Sequence, residues 1–157
     1  MTCEAALARI AAGDPAGAAD LLVEPLSKAG RDPNLLYVAG NCALAKGDQA
    51  TARTYYERAV AFAPDFVAAL TNLGFILRAD HHLAEARAVL RRAVALEPTN
   101  EAAWANLVSC WVNEGAPKAG EAIAREALAA HPQQAIMHWN LALLLLEACV
   151  GLQGAGT

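Results

Sequence analysis

Three asparagines, Asn72, Asn106 and Asn140, recur at a spacing of 34 residues. A carboxamide carries both a donor and an acceptor, so a row of them can pair with successive N–H and C=O groups of a peptide backbone without reading its side chains. Such a ladder holds an extended segment, and its chemistry is reversible binding. The other residues that could do chemistry are dispersed. Cys3, Cys42, Cys110 and Cys149 contain no CxxC pair, so neither a zinc site nor a disulfide framework is expected. Cys42 and Cys110 stand two 34-residue periods apart, beyond disulfide reach, and are expected to be small buried hydrophobes. His81 and His82 are neighbours whose side chains diverge, with no carboxylate or thiol beside them at ligand spacing, which points to a turn. His131 precedes Pro132 at a helix end, where a cation favours the helix dipole. No nucleophile, base and oxyanion set assembles, and no glycine loop could cradle a phosphate. No catalytic residue, metal or cofactor is expected, and the chain is not expected to be an enzyme.

The elements that must position these asparagines follow from the period. A repeat of 34 belongs to helix-turn-helix units that stack on one another. Aligned on Pro64, Pro98 and Pro132, the chain divides into 33–66, 67–100 and 101–134. Small residues then fall in columns, Gly40, Gly74 and Val108 in the first helix, Ala52, Ala86 and Gly120 in the second, with Ala59, Ala93 and Ala127 further on. Leu36, Leu70 and Trp104, with Ala39, Leu73 and Leu107, supply the larger apolar groups. Val108 and Gly120 exchange size classes within their columns, which predicts altered helix spacing in the third repeat. Asp48, Asp65 and Asn100 are expected as helix caps, and Gly47 and Gly115 as turns. No segment alternates with period 2, so no sheet is expected.

The columns of a large apolar residue, Leu-Gly, a mid-repeat Ala, a second Ala and a closing Pro resemble the tetratricopeptide repeat. The resemblance implies an all-α fold, a right-handed superhelical solenoid of antiparallel helix pairs, with about four repeats plus a terminal helix, nine helices in all. Residues 1–157 form one domain on this reading, with 1–32 a divergent first repeat and 135–149 the terminal helix. Pro25 replaces the expected Ala in that first repeat, and "SKAGRDPN" predicts a longer exit from it.

In the family the first helix of each pair lines a concave groove. The equivalent residues here are Asn34, Tyr37 and Asn41, then Thr71, Asn72, Phe75 and Arg78. Asn106, Ser109 and Asn113 follow, then Trp139, Asn140 and Leu143; His138 replaces the large apolar residue of its column. The Asn72, Asn106 and Asn140 column resembles the asparagine ladder of the tetratricopeptide superhelix in O-linked N-acetylglucosamine transferase. The alternative is that asparagine in this column bonds only to neighbouring helices. Asn41 and Asn72 also have the 31-residue separation of the family's carboxylate clamp, but Tyr37, Ala102 and Asn106 stand where that clamp needs cations. Chaperone C-termini are therefore not expected partners.

The net charge of −4 and a pI near 5.5 argue against a nucleic-acid surface. Arg87, Arg91 and Arg92 form the one tight basic cluster and are expected on an outward, solvated face. The N-terminal sequence lacks the pattern of a secretion signal, so a cytoplasmic location is expected. The longest apolar run, 141–146, falls well short of the ~20 residues that span a bilayer. The segment "WNLALLLLEACVGLQ" is apolar almost all round, which predicts that Leu144, Leu146 or Val150 meets further chain or a second copy. The expected function is a protein-interaction module or scaffold that grips an extended segment through the asparagines, with Tyr37, Phe75 and Trp139 adding selectivity. Its two rivals are the substrate-recruiting region of a larger enzyme such as a glycosyltransferase, and a self-assembling scaffold.

Overall fold

The structure, a computed structural model, describes residues 2–130 and Pro132. Among these are eight helices and no strand: α1 (Thr2–Ala11), α2 (Pro15–Lys28), α3 (Pro33–Ala45), α4 (Gln49–Phe62), α5 (Val67–Ala79), α6 (Leu83–Leu96), α7 (Glu101–Asn113) and α8 (Pro117–Ala130). The helices α3, α5 and α7 begin 34 residues apart, as do α2, α4, α6 and α8. The expected ninth helix, with Trp139, Asn140, Leu143, Leu144, Leu146 and Val150, lies outside the described residues, as do His131, His138 and Cys149.

Each pair is closed by a three-residue turn at 12–14, 46–48, 80–82 or 114–116. The second position of the first three-residue turn is Gly13, with φ 79°, and the equivalent Gly47 and Gly115 have φ 80° and 71°. Glycine enters this left-handed region without the Cβ clash that opposes other residues. His81 fills the same position with φ 61°, so its expected turn role is met, in a conformation that a side chain disfavours. Its neighbour His82 meets Glu85 Oε1 through Nδ1 at 3.1 Å, a carboxylate one helical turn away that the sequence reading passes over.

Helix starts are fixed by side chains that accept from otherwise unpaired N–H groups. Asp48 Oδ1 accepts from Thr51 N at 3.0 Å and Asn100 Oδ1 from Ala103 N at 2.9 Å, both as expected. Asp14 and Asp32 do the same for α2 and α3. The expected cap Asp65 is corrected. The carbonyl that receives the first bond of α5 belongs to Phe66, bonded by Leu70 N at 3.0 Å, so the cap position falls one residue later. That column reads Asp32, Phe66, Asn100, and Phe66 spends its side chain on Tyr37 instead, ring centroids 5.1 Å apart.

Two compact units divide within α5, between Leu73 and Gly74. In the first, Ala6, Ala18, Leu22, Leu35, Val38, Ala39 and Cys42 form one buried cluster, and Leu36, Ala59 and Ala69 a second. Pro25 does not end α2, which continues to Lys28, and the exit at 29–32 is four residues long, like 63–66 and 97–100. The longer exit expected for the first repeat is thus absent, because α2 runs through Pro25 to the same 14-residue length as α4, α6 and α8.

Helix spacing is set by pairs across each repeat. A Cβ on Gly40 would fall 2.5 Å from Tyr56 Cε1, so the bare backbone of α3 is what admits that ring against it. In the second unit Gly74 admits Leu90 in the same way. Val108 packs against Ala124 at the third equivalent pair. The size exchange at Val108 is therefore matched by an opposite change on the facing helix, which moves bulk from one side of the crossing to the other.

Candidate functional site

Of the expected groove residues, Tyr37, Asn41 and Asn72 belong to the first unit, and the fold ties them together. The Tyr56 hydroxyl donates to Asn41 Oδ1 at 2.7 Å. Asn72 Nδ2 donates to the same Oδ1 at 3.1 Å and to the Tyr56 hydroxyl oxygen at 3.3 Å. The Tyr56 side chain is fully buried, and that burial holds its phenol far above the ordinary range, so the proton stays on oxygen to be donated. Tyr37 stacks obliquely on this ring, centroids 5.9 Å apart, and joins it to Phe66. The Asn72 amide nitrogen thus serves neighbouring helices. Tyr56 is the residue that sequence reasoning missed. Its signal was available, since it is the one hydroxyl in a column that continues as Leu90 and Ala124.

The second unit repeats the frame without the triangle. One period on from Asn41 and Tyr56 stand Phe75 and Leu90, neither of which can hydrogen-bond a carboxamide. Asn106 is half-buried and has no hydrogen-bond partner among the described residues, yet its polar atoms are not sealed from solvent. It therefore keeps a donor and an acceptor available for a ligand. Phe75 lies one turn before Arg78, whose guanidinium carbon is 5.6 Å from the ring centroid. Of the remaining groove positions, Thr71 Oγ1 bonds back to Val67 O at 2.9 Å and Ser109 Oγ to Ala105 O at 2.8 Å. Those two hydroxyls are spent on their own helices. Asn34 and Asn113 are exposed.

The arginine cluster needs a correction. Arg91 and Arg92 are exposed as expected, but the Arg87 side chain retains 17% exposure and is not a solvated residue. It pairs with Glu114 at 2.6 Å and lies 4.2 Å over the Trp111 ring, partners supplied by the next helix pair. Cys42 and Cys110 are buried, and burial pushes the Cys110 thiol up to about 11, so it is no nucleophile at neutral pH. No cluster of three or more potential metal ligands occurs among the described residues, nor does a helix long and apolar enough to cross a membrane.

Two recesses lie away from the asparagines. One, of about 220 Å³, is lined by residues including Leu22, Leu26, Cys42 and Tyr55. The other, of about 500 Å³, is lined by Trp104, Leu107 and Ile123 with Arg91 and Glu126 at its edge. Neither takes in a groove residue. The carboxamide chemistry suits a strand laid on an open surface rather than a small molecule enclosed in a cavity.

Two family models described as tetratricopeptide repeat match this sequence, over residues 3–65 and 77–145. Among curated proteins none matches. Solved structures share the fold at low identity. The MamA fragment from residue 41 onward of Desulfovibrio magneticus RS-1 superposes with a TM-score of 0.81 at 21% identity, covering 98% of this chain and 87% of that one. The pilF protein of Pseudomonas aeruginosa gives 0.82 at 18% identity, over 94% of this chain and 67% of that one. TTC0263, a thermophilic repeat protein of Thermus thermophilus, gives 0.72 at 21% identity, over 94% and 81%.

Proposed function

We propose, on the premise that this chain belongs to the tetratricopeptide-repeat family, that it is a protein-interaction module holding an extended peptide segment along its first-of-pair helices. The observation that carries this reading is Asn106, an accessible carboxamide that the chain leaves without a partner among the described residues. Open to solvent and uncommitted to the fold, it can exchange water for a peptide group at no cost to the chain's own hydrogen bonds. The grip is unequal along the column: Asn106 leads, while the donors of Asn72 are committed to Asn41 and Tyr56. Phe75 adds apolar contact beside the segment. The resemblance of this column to a ladder that binds protein substrates supports a backbone-directed mode.

The test is selection of a random peptide library displayed on phage against the full chain. Asn106→Ala should abolish binding of the selected peptides with helical circular dichroism unchanged, whereas Asn72→Ala should lower stability more than affinity. Full retention of binding by Asn106→Ala sinks the reading. A second reading, self-association through Leu144, Leu146 and Val150, is favoured by the apolar sequence around them. A molar mass that stays monomeric across a light-scattering dilution series excludes it.

A further inference from the structure

Arg78 is a cation for which the described residues supply no anion. Three arginines are half-buried among the described residues: Arg53, Arg78 and Arg87. Arg53 Nε reaches Glu57 at 2.7 Å and Arg87 reaches Glu114 at 2.6 Å. Arg78 makes no hydrogen bond or ion pair among them, and its Nε is buried without an acceptor. A guanidinium cannot escape by losing its proton, so an unpartnered one in a partly desolvated place is destabilising. The Phe75 face, 5.6 Å away, offsets part of this but fills none of the N–H donors.

The surroundings show where an anion would come from. The carboxylate of Glu114 is engaged by Arg87. The two Nη atoms of Arg78 are not sealed as Nε is, so an incoming carboxylate meets the guanidinium end-on through both of them. Asn106 and Cys110 lie one turn apart on the same face of α7. Phe75 and Asn106 hold the repeat positions of Asn41 and Asn72, which meet at 3.1 Å, so the ring under Arg78 stands beside the stretch of α7 that carries Asn106.

We propose that Arg78 receives a carboxylate of the bound segment, seated over Phe75, while Asn106 holds an adjacent peptide group. The ligand class is then an acidic peptide. The inference rests on Asn106 being a groove residue and adds the charge that the groove selects. It differs from capture by several cations of a clamp, since a single planar guanidinium does the work here.

The experiment is the same phage-displayed random library, selected on the full chain and followed by synthetic copies of the winning peptides. An acidic residue should be enriched at one fixed position. Replacing it by its amide, or making Arg78→Met, should each weaken binding about tenfold or more, and combining the two should add little. Amidating the peptide C-terminus separates the sources: unchanged affinity assigns the carboxylate to an Asp or Glu side chain, and an equal loss assigns it to the chain end. Arg78→Met should also melt no lower than the parent, because it removes an unpartnered cation, whereas a structural arginine would lower the melting temperature. Peptides without acidic enrichment, insensitive to Arg78→Met but lost with Asn106→Ala, overturn this inference and leave the groove standing. Failure to select any peptide overturns both.

Discussion

Asn72 Nδ2 reaches Asn41 Oδ1 at 3.1 Å across 31 residues of sequence, and the Tyr56 hydroxyl closes the triangle at 2.7 Å to Asn41. Two asparagines whose separation matches a ligand clamp are thus bonded to each other. The third member, on the intervening helix α4, holds them in place.

Tyr56→Phe should therefore destabilise the chain by about 1–2 kcal/mol, because the ring still packs while two hydrogen bonds are lost. Urea denaturation at neutral pH measures it. An unchanged midpoint would mean that the triangle contributes nothing to stability.

Gly74→Val should be destabilising by about 2–3 kcal/mol, since Leu90 occupies the space of the new side chain. Leu90→Ala alone should lose about 2–5 kcal/mol through its cavity. Combined, they recreate the Val108 and Ala124 arrangement, so the double variant should lose well under the sum. Strict additivity in a double-mutant cycle would show that the two positions do not share one space.

His81→Gly should stabilise the chain by about 1 kcal/mol, a rise of roughly 2–4 °C in melting temperature, because it relieves a side chain at φ 61°. Differential scanning calorimetry resolves a shift of that size. A lower melting temperature would show that His81 makes contacts worth more than the strain.

Acid should weaken the helix starts. Asp14 is held below the ordinary carboxylate range first by the Gly17 N–H and then by Arg9, and Asp48 by the Thr51 side chain and N–H. With folded values depressed, both caps contribute above the unfolded carboxylate range, and that contribution disappears as pH falls through the folded values. Asn caps as well as Asp without titrating, so Asp14→Asn/Asp48→Asn should match the parent at neutral pH and lose less stability below about pH 4. Identical acid profiles for the two proteins would contradict this.

The helical frame was legible because it depends on counting: a period of 34 sets the helix starts from α2 onward, and Gly47 and Gly115 mark the turns. The cap of α5 was misplaced by one residue because Phe66 breaks a polar column that continues at Asn100. Arg87 was misjudged for a different reason. Its partners Trp111 and Glu114 come from another repeat, and helix-face arguments confined to one repeat do not see them. Asn72 and Asn106 are identical in sequence and unequal in surroundings. The difference lies in Tyr56 against Leu90 and in Asn41 against Phe75, which becomes visible only when columns are compared across helices.

The Gly40–Tyr56, Gly74–Leu90 and Val108–Ala124 crossings have a consequence for how such a chain can be recombined. A lone helix is not portable between the third of these pairs and the other two. Grafting α7 opposite α6 would set Val108 against Leu90, and grafting α5 opposite α8 would leave a hole between Gly74 and Ala124. Whole pairs carry their own matched crossing wherever they are moved. Duplication or shuffling of whole pairs in steps of 34 residues therefore preserves packing within each pair, while a breakpoint at the turn that joins α7 or α8 to a helix of the other two pairs destroys it.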